Sequence, residues 1–274
     1  MKISRQVIAA IVALGFGAGA WLWWQRSAPL PATTAMPPLA VSPAPAAEAP
    51  PASAPAIKFP MDVSVAASAP AVLLDAEAAL IDLFGRKAVL SLFQMQDFPR
   101  RFVATVDNLG RAHAPASLWP VNPAGGRFLV ERHEGFDVIS ADNGLRYTPY
   151  LLLIETVDLR EAVALYRRLY PLLQQAYEDI GYPRRYFNDR LVDVIDQLLA
   201  TPEVQWPVRV RLPVINGPTQ PERPWVMYEF DDPNLQALSA GQRLLLRMGP
   251  VNQRRLKTKL AEIRRLVTAG NAPR

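Results

Sequence analysis

Residues 158–200 read DLREAVALYRRLYPLLQQAYEDIGYPRRYFNDRLVDVIDQLLA, and their spacing predicts two helices joined by a Gly-Tyr-Pro turn. In the first, apolar residues fall at Leu159, Ala162, Val163, Tyr166, Leu169, Tyr170, Leu173, Ala176, Tyr177 and Ile180. That recurrence at i, i+3, i+4 and i+7 is the stripe of a helix lying on a core. Arg160, Glu161, Arg167, Arg168, Gln174, Gln175, Glu178 and Asp179 take the opposite, polar face. Asp158 with Glu161 gives the pattern of a capping box at the start, and Gly181 followed by Pro183 closes the end. Asn188 is placed to cap the second helix, which would bury Leu191, Val194, Ile195, Leu198 and Leu199. No other segment offers as much contiguous apolar surface, so the hairpin is the scaffold. It carries no chemistry of its own.

Toward the amino terminus the character of the chain changes twice. Residues 1–6 are polar and carry Lys2 and Arg5; residues 7–24 then run VIAAIVALGFGAGAWLWW without a charge, and Arg26 follows. Eighteen helical residues cover ~27 Å, close to the hydrocarbon thickness of a bilayer. Trp21, Trp23 and Trp24 form an aromatic belt where that helix would leave the membrane. The alternative is a cleaved signal peptide, since Ala18-Gly19-Ala20 resembles an A-x-A site; the tryptophans that continue the apolar run speak against it. The positive-inside bias puts the rest of the chain outside the cytoplasm, and the absence of cysteine fits a disulfide-free protein there. Gly15 and Gly19 make the GxxxG spacing through which two such anchors pair as a homodimer. From 27 to 70 the chain holds 11 prolines and 14 alanines in 44 residues. So little apolar bulk does not offset the entropy of ordering, and an extended, polyproline-biased tether is expected.

The remainder reads as one globular domain. Short helices are expected over 72–84 and 86–95, separated by Gly85, and a third over 98–109 with Phe98, Phe102, Val103 and Val106 on one face. Residues 127–131 and 136–139 suggest two strands turning through 133–135. A helical pattern resumes over 143–157, kinked or delayed by Pro149. Residues 208–214 and 225–230 look like strands, and Pro207, Pro213 and Pro224 argue for edge positions or a small sheet. After a short turn at 233–238, Ser239 with Gln242 forms a capping box over 240–247, and Gly249-Pro250 leads into a last helix ending near Val267. The expected architecture is mainly α with a minor small sheet. Residues 1–26 are the anchor, 27–71 the disordered Pro/Ala tether, 72–268 the helical domain and 269–274 a tail.

Three blocks carry a resemblance: RRFVATVDNL (100–109), LYRRLYPLLQQAYEDIGYPRRYFNDRLVDVIDQLLATP (165–202) and LSAGQRLLLRMGP (238–250). In this order they resemble an uncharacterised family of Gram-negative bacteria, the domain of unknown function three thousand and fourteen. The resemblance covers nearly all of 72–268. It implies an anchored protein of the cell envelope and brings no activity, ligand or catalytic residue.

Chemistry is thinly signalled. There is no cysteine, GxSxG or SxxK, and the two histidines, His113 and His133, lie in polar, turn-rich stretches. His133-Glu134 begins like a zinc motif, but Asp137 stands where the second histidine belongs, so neither a metal nor a cofactor is expected. A glycan hydrolase or lyase needs only paired carboxylates, one held protonated by an apolar setting. Asp107, Asp142, Glu155 and Asp189 lie near apolar or aromatic residues and are its candidates.

Aromatic and basic residues are more informative. Seven of eight tyrosines fall between Tyr147 and Tyr186, interleaved with arginines. Tyr166, Tyr170 and Tyr177 lie on the apolar stripe and read as core residues with wet hydroxyls. Tyr182, Arg184, Arg185 and Tyr186, in the turn of the hairpin, are the candidate binding residues, because Tyr and Arg anchor interfaces. Residues 72–242 carry 17 basic and 22 acidic side chains, a net of −5, whereas 243–274 carry 9 and 1, a net of +8. The last helix is expected to dock by Leu256, Leu260, Ile263 and Val267, its cations solvated or paired with the acidic body; an anionic surface is the alternative partner.

These features favour a membrane-anchored periplasmic binding or scaffold module that recruits an envelope protein or wall polymer at the end of a tether. The compartment disfavours nucleic acid. The rivals are the carboxylate enzyme and an energy-coupling protein of the TonB kind, similar in layout but with a strongly polar residue needed in the span, which 7–24 lacks. A reporter fused after Arg274 is expected to be active in the periplasm and silent in the cytoplasm. The chain should stay in inner membranes; a soluble form beginning near Trp21 would establish cleavage instead.

Overall fold

In the computed structural model, residues 56–61, 69–214 and 222–269 are described. The helices are α1 (Ala69–Phe84), α2 (Arg86–Leu92), α3 (Phe98–Leu109), α4 (Thr148–Thr156), α5 (Leu159–Asp179), α6 (Phe187–Leu199), α7 (Pro233–Gln236), α8 (Ala240–Arg247) and α9 (Pro250–Thr268). Four short strands, β1 (Val130–His133), β2 (Phe136–Ile139), β3 (Arg209–Arg211) and β4 (Glu229–Phe230), form an antiparallel sheet in the order β1-β2-β3-β4. The body is thus mainly α with a small sheet, as the periodicities predict. The span expected at 7–24, with Gly15 and Gly19, lies outside the described residues. Among the described residues no helix is long and apolar enough to cross a membrane.

The hairpin is α5 and α6. α5 buries Leu159, Val163, Leu165, Leu169, Tyr170, Leu173, Ala176 and Tyr177, which are seven of the ten stripe residues together with Leu165; Ala162, Tyr166 and Ile180 are half-buried. Pro171 sits inside this helix, at a cost of about 3 kcal/mol or more. Each large apolar side chain on the stripe returns about 1.5–3 kcal/mol on burial, so the tertiary contact overrides the helix breaker. Asp158 caps α5 by accepting from the backbone N–H groups of Arg160 (2.7 Å) and Glu161 (3.4 Å). α3 and α9 pack on both hairpin helices, α1 on α5, and α8 on α3 and α6.

The start of α6 departs from expectation. Asn188 does not cap it: the N-cap position is Tyr186, which makes no side-chain cap, and Asn188 is fully buried inside the helix. The orphan N–H groups of this terminus are satisfied from the facing helix. Phe187 donates to Gln174 Oε1 at 2.9 Å, and the N–H of Asn188 donates to the Tyr170 hydroxyl at 3.1 Å. The helix starts two residues earlier than a cap at Asn188 would place it because Phe187, wholly buried, is core. The hydroxyls of Tyr166 and Tyr170 are likewise not wet. They donate to Asn188 Oδ1 (3.0 Å) and Gln174 Oε1 (3.1 Å). Arg167, expected on the polar face, is half-buried and donates to the carbonyl of Leu266 in α9 at 3.1 Å.

Elsewhere the differences are matters of boundary. α1 begins at Ala69, ahead of the expected 72, and the tether expected over 27–71 does not stay unpacked to its end. Residues 56–61 lie on the hairpin, with Met61 in the main core and Phe59 against Val163, Val192 and Val267. Ile57, Phe59 and Met61 give this short piece the bulk that the alanines before it lack. Pro149 delays α4: a 3-10 turn over Ala141–Tyr147 precedes it, so 143–157 is not one helix. The strand expected over 225–230 is only Glu229–Phe230, after a 3-10 turn at Pro224–Val226. β3 lies inside the sheet, because Pro207 and Pro213 fall beyond its three residues and remove no ladder bond. The capping box at Ser239 and Gln242 forms as predicted. A second core gathers Ile139, Val208, Val210, Phe230 and Leu246 under the sheet, where the Arg247 guanidinium lies over Phe128 and Phe230.

Burial pushes the phenols of Tyr166 and Tyr170 well above their ordinary value near 10. A raised folded-state value means that the unfolded chain ionises first, so this contribution is whole below about pH 10 and is lost as pH rises further. Melting temperature should therefore fall steeply above about pH 10. The Y166F/Y170F variant, compared by the same pH series of thermal melts, should show a flatter slope.

Candidate binding surfaces around the hairpin turn

The turn between α5 and α6 is built from two left-handed positions, Gly181 (φ 109°) and Arg184 (φ 65°). Of the four candidate residues within it, the two tyrosines face inward and the two arginines outward. Tyr182 stacks on Tyr177 with ring centroids 4.6 Å apart and donates its hydroxyl to Asp107 Oδ2 at 3.1 Å. It also accepts a hydrogen bond from Arg111. The Tyr186 ring lies 5.4 Å from that of Tyr170, and its hydroxyl accepts from the backbone N–H of Met61 at 2.5 Å. Arg184 and Arg185 are exposed, and among the described residues no acid pairs with either. The sequence placed the four together; the fold splits them into two supports and two surface cations.

Asp107 is the point to which Tyr182 is tied. It is 5% exposed and accepts from Arg190 Nε (2.8 Å) and Arg111 (2.8 Å) as well as from Tyr182. Arg190 also donates to the carbonyl of Asp107 at 2.8 Å, so one carboxylate joins α3, α6 and the turn. Gly110 allows the approach, since a Cβ there would lie 2.9 Å from Arg190 and 3.1 Å from Val194.

A groove runs along α3 beside this cluster. One half, of ≈ 420 Å³, is walled by Arg101, Ala104, Asn108 and Arg111 of α3, by Ser117 and Leu118, and by Ile180 and Tyr182 of the turn. The other, of ≈ 380 Å³, has an apolar floor of Ala76, Met95, Phe98, Pro99, Leu172 and Ala176 with Glu77, Gln175 and Asp179 at its rim. Asp97 and Arg100 line both halves. Asp97 is left-handed (φ 56°) and occupies the N-cap position of α3 without capping it. Both side chains are exposed, and among the described residues neither takes an ion-pair partner. Sequence reading missed this groove, because its walls come from four separate stretches of chain. Its one local signal was Asp97-Phe98-Pro99, an acid ahead of a helix whose proline sits in the first turn.

The carboxylates considered for acid–base chemistry are held apart in separate interactions. Asp107 serves the arginine cluster, and Asp189 accepts from the N–H groups of Lys58 (3.0 Å) and Phe59 (2.8 Å). Asp142 is exposed in its 3-10 turn. Glu155 pairs with Arg255, whose hydrogen bond pulls its carboxyl below the usual range, opposite to what a protonated acid requires. His113 and His133 are exposed. Among the described residues no three His, Asp or Glu side chains gather as a metal site.

The geometry is that of a helical module with grooves and tethered contacts. The chain belongs to the family described as a protein of unknown function, DUF3014, whose model matches residues 98–264. No curated protein matches the chain, and no solved structure does.

Asp107→Ala should destabilise by roughly 3 kcal/mol, the low end for a broken buried pair because Arg190 is 26% exposed. Tyr182→Phe removes the hydroxyl that donates to Asp107 and accepts from Arg111, and should cost about 1–2 kcal/mol. Urea unfolding of the three proteins checks the order.

Proposed function

We propose that the chain is a binding or scaffold module of the bacterial envelope, held in the inner membrane by residues 7–24 and working in the periplasm at the end of its tether. The supporting observation is the α3 groove, one half floored by apolar side chains and the other walled mostly by polar ones, with Asp97 and Arg100, unpaired among the described residues, lining both halves. Unpaired charges beside an apolar floor offer orientation and contact area together, which is what a protein partner's side chains use. Arg184 and Arg185, which line neither half of the groove, are exposed on the same turn as Tyr182 and offer a partner two further cations. The separate engagement of Asp107, Glu155 and Asp189 favours binding over carboxylate catalysis.

The test is affinity capture with the intact anchored protein. An envelope protein retained by the wild type should be lost at least tenfold with D97A/R100A and weakened with R184A/R185A. Melting curves should be unchanged. Arg168→Ala is the control, since Arg168 is exposed on α5 away from the groove, whereas Arg167 supports α9. Equal capture by all variants would move the partner's site elsewhere.

A further inference from the structure

Residues 56–61 are held on the hairpin by a set of contacts unlike the packing of the helices. Asp189 accepts the consecutive N–H groups of Lys58 and Phe59 at 3.0 and 2.8 Å through its two oxygens. Asn188 donates to the carbonyl of Phe59 at 2.9 Å, and the Tyr186 hydroxyl accepts from the N–H of Met61 at 2.5 Å. Four main-chain groups of a non-helical segment are thus met by three side chains clustered at the start of one helix. None of these bonds depends on the identity of the bound residues. Identity enters only at two places: Phe59 packs against Val163, Val192 and Val267, and Met61 is 8% exposed in the main core. Ile57, Lys58 and Pro60 face water. Pro60 lacks an N–H and restricts the residue before it, which lowers the entropy of docking.

Main-chain bonds for affinity with side-chain sockets for specificity is the logic of peptide recognition. The bound segment is joined to its site across about 130 residues of chain, and its bonds come from side chains rather than a ladder, so its release requires no helix or strand to unravel.

We propose that Tyr186, Asn188 and Asp189 form a peptide-recognition site that the end of the tether occupies in cis and that a partner's segment takes in trans. The segment that fits is short and non-helical, with an aromatic residue, a proline or other residue without a donor requirement, and then a bulky apolar residue. The site is separate from the α3 groove and stands or falls independently of it. Because the cis segment competes at an effective concentration on the order of millimolar, a free peptide gains access only where that segment is weakened.

The probe is a fluorescein-labelled peptide of sequence AIKFPM, residues 56–61, added to the full chain in detergent and followed by anisotropy. The F59A/M61A chain, whose own segment no longer fills the sockets, should bind it at least tenfold more tightly than the wild type. Adding Asp189→Asn to that variant should weaken binding at least tenfold. The idea is overturned if F59A/M61A melts cooperatively yet binds no better than the wild type. A second measurement needs no variant: in the wild type, the amides of Lys58, Phe59 and Met61 should exchange with solvent faster than the slowest amides of α6. Exchange of both sets at one common rate would mean that the segment opens only with global unfolding, and would also overturn it.

Discussion

A single buried amide holds the hairpin to both ends of the described chain. Asn188 is fully buried, and its side-chain amide and its N–H each have partners. Its Oδ1 accepts from Tyr166, its Nδ2 donates to the carbonyls of Phe59 and Val267, and its own N–H is taken by Tyr170. Burial of an amide without such partners costs several kcal/mol, so this network fixes α5, α6, the 56–61 segment and the last turn of α9 in one arrangement. Val163, Val192 and Val267 close over it as a small apolar cluster. The network also explains why α6 needs no local cap, since α5 supplies Gln174 and Tyr170 to its first two N–H groups.

Charge follows the same plan. Three of the nine cations after residue 242 fasten the last helix to the body that it packs against. Arg255 pairs with Glu155 of α4, Arg264 with Asp196 of α6, and Lys257 donates to the carbonyl of Thr201 at 2.5 Å. These pairs are partly exposed and individually worth little. Their effect is orientation: with the apolar stripe docked, they fix the rotation of α9 and so deliver Val267 to Asn188. Asp107 does the corresponding work for α3, at a buried position where breaking the pair is costly. Carboxylates committed in this way are poor candidates for chemistry, whereas Asp97, Arg100, Arg184 and Arg185, exposed and without an ion-pair partner among the described residues, are suited to a partner.

Two surfaces then bear on the proposed role. The α3 groove is a recess with free charges, whereas the start of α6 is a site already filled by the chain itself. The proposed module would have its membrane tether leave the domain at the second of these, so that what binds there also alters how the tether is attached. The Tyr186 hydroxyl is taken by a peptide group of its own chain, the N–H of Met61.

Much of this fold was legible from local signals because the forces behind them are local. The 3.6-residue stripe of α5, the limits of α3 and the capping box of α8 each depend on residues within a turn or two of one another. The family blocks were legible for the same reason, being long and contiguous. What the sequence could not show were interactions whose partners are far apart along the chain. Asn188 looked like a cap because Ser, Thr, Asp and Asn favour that position; only the packing of α5 against α6 supplied substitutes and drew it inside. Tyr182 and Tyr186 looked exposed because they lie in a turn. Asp107 and Met61, 75 and 125 residues away, turned their hydroxyls inward. The tether looked featureless to residue 71 because three apolar side chains do not pay for their own ordering. They dock only because the hairpin presents sockets and main-chain partners already fixed in place, a preorganisation that exists in the tertiary structure alone.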